Sequence, residues 1–284
     1  MYVVTLQDGP LSPEEVGGKA ASLTYLIHHQ VAVPPGFVVT THAHQAYLQD
    51  GGASGPIPGD LNEEVRQALS AFAPTTRFAV RSSATFEDLA SASFAGQYDT
   101  VLDVGAEEVM PAIFRCWASA ANHHAHSYAA QHGLSLEQSS MGVIVQALVP
   151  AETAGVSFSL HPVSGADEVV INAAYGLGES VVSGMVTPDT FIVDKATSRI
   201  EGLLGDKEAM LRLRPEGGTE EVETSEELRT RFCLSDRDVI RVHHLTLALE
   251  RLAGYPVDVE WAIAEDSLYC LQMRPIALKG VMHA

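Results

Sequence analysis

Basic residues are scarce in this 284-residue chain: 17 Lys and Arg stand against 36 Asp and Glu, a net charge of −19. Nonspecific nucleic-acid binding draws most of its affinity from a basic footprint, so this balance excludes it. A nucleotide ligand is not excluded, because a few cations focused in a cleft hold phosphates within an acidic protein. Cysteine is sparse as well. Cys116, Cys233 and Cys270 are odd in number and form no C-x-x-C, which reads as buried free thiols in a reducing cytoplasm. No apolar run approaches the ~20 residues of a membrane-spanning helix. The opening MYVVTLQDGP lacks the basic region and long apolar core of a secretory signal. What the chain does have is a hydrophobic content of 46% and a mean hydropathy of +0.08, those of a packed globular protein.

The periodicity changes along the chain. Before about residue 140 it predicts mainly helices: one starting near Gly18, one capped by Thr40 or Thr41, one over Leu61 to Phe72, and a long one from Ala106 to Gln131. Pro111 is tolerable in the last only near its start or at a kink. Short strands are expected at Phe37 to Thr40 and at Arg77 to Val80, ending at Arg81. After residue 140, MGVIVQALV, GVSFSL and EVVINAAYG read as strands, and Thr190 to Leu204 as a hairpin. Arg214 to Glu227, with its glutamates and glycine pair, reads as a mobile surface loop. Ser235 caps a helix that stops at Gly254. Two α+β lobes around one cleft follow, spanning 1–144 and 145–284.

Five stretches carry chemistry. In VGGKAASL, Val16 to Leu23, two glycines precede a helix start and Lys19 adds a point charge, a combination that suits phosphate. The same stretch also reads as a glycine turn with an exposed lysine. In AVRSSATFEDLASASFAGQYDT, a strand delivers Arg81, Ser82 and Ser83. Arginine offers a planar fork to phosphate oxygens and the hydroxyls add donors; the bland alternative is a capped turn with Arg81 paired to Glu87 or Asp88. Gln146, Ala147 and Leu148 close a strand at the lobe boundary, where free backbone groups suit an adenine edge, although an ordinary strand looks the same. In YGLGESVV the glycines fit a tight turn, plain or ligand-binding, and Glu179 suits ribose hydroxyls.

The fifth stretch is VDVEWAIAEDSLYCLQMRP, Val257 to Pro275. As a β-hairpin it segregates Val257, Val259, Trp261 and Ile263 from Asp258 and Glu260. Strict alternation in the return strand puts Tyr269, Leu271 and Met273 on the apolar face and Leu268, Cys270, Gln272 and Arg274 on the other. Glu260, Gln272 and Arg274 then share one face.

Taken in order, VGGKAASL, VPPGFVVT, VRSSATFEDLASASFAGQYDT, YGLGESVVSGMVTPD and DVEWAIAEDSLYCLQMRPI resemble the nucleotide-binding domain of phosphoenolpyruvate synthase, pyruvate phosphate dikinase and rifampicin phosphotransferase. The resemblance is collinear over nearly the whole chain. It implies an ATP-grasp fold, with ATP in the cleft between the lobes. It also implies that Lys19 and Arg81 contact the phosphates, that Glu260 and Gln272 hold Mg²⁺ and the phosphates, and that Arg274 sits beside them, with Ser82 among the nucleotide-binding residues. Gln146, Ala147 and Leu148 would lie along adenine, and Glu179 near the ribose. Members of that family pass phosphate through a histidine in a G-x-x-S-H-A-like segment on another domain, a segment absent from this sequence. His123, His124 and His126 read as helix surface and His161 as a loop residue. The implied partner is therefore a separate histidine-bearing domain or chain. The acceptor is pyruvate or, alternatively, a rifampicin-like antibiotic; a non-catalytic nucleotide sensor is the reading from another class.

Overall fold

The computed structural model describes residues 1–52, 57, 59–85, 88–89, 92–93, 100–119 and 140–276. The chain divides into two units, Met1–Leu148 and Val149–Ala284. The expected boundary at 144/145 falls inside a central strand of the first unit, so the division lies just after that strand.

The first unit runs β1 (Val3–Thr5), α1 (Pro13–Val16), α2 (Gly18–His28), β2 (Gly36–Val39), α3 (Thr41–Gln49), α4 (Leu61–Leu69), β3 (Phe78–Ala84), β4 (Asp88–Leu89), β5 (Ala92–Ser93), β6 (Thr100–Val104), α5 (Val109–Ser119) and β7 (Met141–Ala147). Its main sheet has the order β1-β2-β7-β3-β6. Thr40 caps α3 as expected, its hydroxyl accepting from the Ala43 amide at 3.4 Å. Pro13–Val16 forms a helical turn with Pro13 at its start, where the missing amide hydrogen costs nothing. β3 does not end at Arg81 but continues to Ala84, because β7 pairs with it as far as Met141. The predicted long helix is α5 over its described part, with Pro111 in its first turn; His123, His124 and His126 lie outside the described residues.

The two faces of this sheet bury different residues. Phe78, Val80, Val143 and Val145 pack against α5 and α4 through Ile113, Trp117 and Val65. Ile144 and Val38 turn the other way, onto Ala20 and Leu23 of α2. Alternation along β3 therefore puts Ser82 with Phe78 and Val80, and Arg81 and Ser83 on the α2 side.

The second unit contains β8 (Thr153–Phe158), β9 (Glu168–Tyr175), α6 (Glu179–Val182), β10 (Asp189–Asp194), β11 (Ile200–Leu203), β12 (Ala209–Leu213), β13 (Thr219–Glu223), α7 (Glu226–Arg229), α8 (Asp236–Ala253), β14 (Val257–Ala264) and β15 (Ser267–Pro275). Six strands form an antiparallel sheet in the order β11-β10-β9-β8-β14-β15. One face buries Trp261, Ile263, Ile171 and Phe191 under Val239 and Val242 of α8. Ser235 caps α8 by accepting from the Asp238 amide at 3.2 Å. Gly254, in the left-handed region at φ 77°, ends it.

Two expectations need correction here. Arg214 to Glu227 is not an irregular loop: β12 and β13 pair antiparallel, Gly217 and Gly218 turn the chain at positive φ, and Arg212 pairs with Glu220 across the strands at 2.8 Å. In the β14–β15 hairpin, the register shifts at Glu260/Trp261, so that Glu260 pairs with Gln272 but Trp261 with Cys270. Leu271 is the extra residue of a β-bulge. Cys270 and Leu268 therefore join Trp261 and Ile263 on the core face, and Tyr269 moves to the other, the reverse of strict alternation.

Candidate functional site

In the first unit Gly17, Ser83 and Gly142 meet at the start of α2. Gly17 sits at φ 82°, and a Cβ there would lie 1.8 Å from the Ser83 carbonyl oxygen, so only glycine fits. Gly142 shows the same pressure, with a Cβ 2.3 Å from the Val16 oxygen. The close approach lets Ser83 Oγ accept from the Ala20 amide at 3.0 Å, satisfying one of the donors that a helix start leaves unpaired. Lys19, the second residue of α2, is thereby docked on the face of β3 that carries Arg81. Lys19 and Arg81, 62 positions apart in sequence, lie on elements that the Ala20–Ser83 hydrogen bond holds together.

Ser82 turns the other way. Its side chain is fully buried on the α5 face, and its hydroxyl has no hydrogen-bond partner among the described residues. Alternation turns the Ser82 side chain away from α2, and Ser83 is the hydroxyl on the α2 side. Gln146 also departs from expectation. Its side chain is buried and donates from Nε2 to the Pro34 carbonyl at 2.9 Å. The Ala147 and Leu148 amides donate to Pro35 and Arg77 carbonyls at 2.8 and 2.9 Å. These groups serve the first unit's own sheet and are not the free donors that the sequence reading supposed.

In the second unit the site is built on the sheet face opposite α8. Glu260 and Gln272 are direct cross-strand partners, and Asp258 and Arg274 form the next pair on the same face. Arg274 donates from Nε to Asp258 Oδ2 at 2.8 Å, with Nη2 also 2.8 Å from that oxygen. Asp258 Oδ1 is buried with no hydrogen-bond partner among the described residues. Burial pushes the Asp258 carboxyl above its ordinary value, and the Arg274 guanidinium opposes the shift without cancelling it. Asp258 is the residue that the sequence reading passed over. The D-x-E alternation was the signal for it, since it places Asp258 beside Glu260.

The GLGE turn, which carries Glu179, packs against this same face. Gly176, at φ 80°, brings its backbone against the Leu211 carbonyl, which accepts from the Leu177 amide at 2.8 Å. A Cβ on Gly178 would lie 3.4 Å from Ala154 Cβ. Ala154 shares its face with Val156 and, by register, with Glu260 and Ala262. Small residues at Ala154, Ala174 and Ala262 thus let the GLGE turn settle on the sheet, with Glu179 at the first position of α6.

Comparison with known proteins bears on what these groups hold. Residues 13–55 and 53–282 match the family model described as pyruvate phosphate dikinase, AMP/ATP-binding domain. The chain belongs to this family. Among curated relatives, an uncharacterized phosphotransferase of Bacillus subtilis, YvkC, is 40% identical over 97% of this chain and 35% of its own length. A probable phosphoenolpyruvate synthase of Methanothermobacter thermautotrophicus is 36% identical over 93% of the chain and 44% of its own length. The prodigiosin synthesizing transferase PigC of Serratia marcescens is 37% identical over 96% and 33%. The ATP-binding domain therefore spans less than half of each of these relatives. The α+β class is the one observed.

The donor set fits a hard cation. Glu260 and the Gln272 side-chain carbonyl offer oxygen atoms, and Asp258 Oδ1 is a buried oxygen without a hydrogen-bond partner among the described residues. Among the described residues no group of three or more His, Cys, Asp or Glu stands together as a metal site. An ion here would complete its shell with nucleotide and water oxygens, as Mg²⁺ ordinarily does.

Proposed function

We propose that this domain binds Mg·ATP as the nucleotide-binding part of a phosphoenolpyruvate synthase-like phosphotransferase with an ATP-grasp fold. The observation that carries the reading is the hairpin face. Within a chain whose family is that of AMP/ATP-binding domains, it sets Glu260 against Gln272 and Asp258 against Arg274. Lys19 and Arg81 hold phosphate oxygens, with the Gly17 turn bringing the α2 backbone close. Glu260 and Gln272 hold the cation, and Arg274, oriented by Asp258, meets charge that develops on the transferred group. Bound Mg²⁺ would neutralise phosphate charge. Glu179 meets the ribose. The adenine reading of residues 146–148 is narrowed to the chain beyond their engaged amides.

In this reading the phosphoryl group passes to a histidine on a separate domain or chain. The overall reaction converts ATP, pyruvate and water into AMP, phosphate and phosphoenolpyruvate. Several relatives carry the name phosphoenolpyruvate synthase, which supports pyruvate as acceptor. PigC, a transferase named for another product, supports a shared nucleotide domain with varied acceptors.

Calorimetric titration with ATP, with and without magnesium, tests the binding step. The parent chain is expected to bind, and Glu260→Ala and Arg81→Ala to bind at least about tenfold more weakly, the loss of one charge-assisted contact. No magnesium-dependent binding by the parent would sink the proposal. AMP formation on adding a histidine-bearing domain from a phosphoenolpyruvate synthase supports transfer. Binding with no AMP under those conditions instead supports a nucleotide sensor.

A further inference from the structure

The polar face of the six-stranded sheet continues beyond the hairpin. Register carries the Gln272–Glu260 pair across to Val156, then to Asn172 and then to Thr190. One row of side chains thus crosses β15, β14, β8, β9 and β10, with Val156 as its apolar member. At ordinary strand spacing, Asn172 lies two strands, roughly 10 Å, from Glu260. On β8, β9 and β10 the flanking positions of this face are apolar, Ala154 and Ala174 on one side and Phe158, Val170 and Ile192 on the other, while on the hairpin the Phe158 row continues into the Asp258–Arg274 pair. Packing alone asks for a third apolar row, and the half-buried Asn172 and Thr190 break it.

The orientation of the Asn172 amide is fixed. The Thr190 hydroxyl donates to Asn172 Oδ1 at 2.9 Å. A carboxamide holds one acceptor oxygen and one NH₂ group, so pairing the oxygen with Thr190 turns Nδ2 into the group offered to a ligand. That supplies a neutral donor on a row whose charged member, Glu260, is an acceptor.

We infer that Asn172 is a further binding residue of the nucleotide site, donating from Nδ2 to a phosphate oxygen, and that Thr190 is its positioning residue. This rests on the Mg·ATP reading above and deepens it. A hydrogen bond to a charged acceptor is among the stronger ones and discriminates against a side chain that lacks the donor.

The test is calorimetric titration of Mg·ATP and of AMP into the full chain and four variants, with a melting curve for each. Asn172→Leu removes the donor without adding charge and is expected to weaken Mg·ATP about tenfold. Asn172→Asp, which also repels phosphate, weakens it further. Thr190→Val frees the amide to rotate and weakens binding several-fold, whereas Thr190→Ser keeps the hydroxyl and restores parent affinity. AMP, which lacks the outer phosphates, is affected less, and melting temperatures stay close to the parent's. Parent-like Mg·ATP affinity in Asn172→Leu, when Glu260→Ala has lost it, overturns the inference and leaves the Mg·ATP reading standing. Melting temperatures that fall in step with affinity assign the pair to packing and overturn it too. A parent chain that does not bind Mg·ATP removes both.

Discussion

Glu260 and Trp261 are neighbours in sequence and face opposite ways, which makes the hairpin a test of face assignment. Trp261 is fully buried among Ile171, Phe191 and Val242, so Trp261→Ala should cost roughly 3–5 kcal/mol of stability by denaturant titration. Gln272→Ala should weaken Mg·ATP and leave the melting temperature close to the parent's. Equal melting shifts in the two variants would contradict the assignment. A second residue reports through pH. His44 is buried beside Trp117, and its Nδ1 accepts from the Met141 amide at 3.2 Å, which requires the unprotonated ring. Burial pulls its pKa down from 6.5 to about 4. The unfolded chain therefore binds the proton more readily than the folded one. The stability this site contributes is complete above pH 6.5 and is lost as pH falls to about 4. The loss amounts to about 3 kcal/mol. Thermal unfolding followed across that window should flatten in His44→Gln; an unchanged profile in that variant would assign the acid sensitivity elsewhere.

At the scale of elements, local spacing was readable and cross-strand register was not. Caps at Thr40 and Ser235, the Gly254 stop and the D-x-E alternation depend on residues within a turn or a strand, and each stands where the sequence put it. The bulge at Leu271, the inward turn of Ser82 and the Asn172–Thr190 pair depend on which strand lies alongside, and a single strand's residues do not encode that. The acidic β12–β13 hairpin misleads for the same reason, since its order comes from strand pairing rather than apolar content. Another feature invisible to motif reading is the buried Lys207. Its Nζ donates to Asp189 Oδ1 at 2.6 Å and to the Gly205 carbonyl at 2.9 Å, while Asp189 also accepts from the Gly205 and Cys233 amides at 2.8 and 2.7 Å. The pair ties β10 to the chain entering β12 and to the segment before α8. Its carboxylate also helps to push the Cys233 thiol well above its ordinary value, burial being the larger cause. Lys207→Met should cost about 3–5 kcal/mol, since it strands a buried carboxylate. Asp189→Ala should cost more, because it strands an ammonium and two amides together. Denaturant titration that ranks Lys207→Met as the costlier change would contradict this account.

The whole molecule is two units, each with its own core. Phe37, Phe78, Trp117 and Val145 belong to the first, and Ile171, Phe191, Val239 and Trp261 to the second. The sequence showed two lobes through the change from helical to strand periodicity near residue 140. The structure divides after β7, which, though it follows that change, completes the first sheet between β2 and β3. Separate cores predict separate unfolding. Scanning calorimetry of the unliganded chain should resolve two transitions, with Trp117→Ala lowering one and Trp261→Ala the other. Each substitution removes a buried aromatic from one core, at a cost of roughly 3–5 kcal/mol. Mg·ATP held through Glu260 and Gln272, as proposed, should raise the transition of the second unit. A ligand that binds only the folded state stabilises every part it needs folded, by about 2.7 kcal/mol at a hundredfold excess over its Kd. Glu260→Ala should then cancel that shift. A shift in the first-unit transition of Glu260→Ala would mean that Lys19 and Arg81 hold the nucleotide without the hairpin. A single transition lowered equally by Trp117→Ala and Trp261→Ala would mean that the two cores unfold as one.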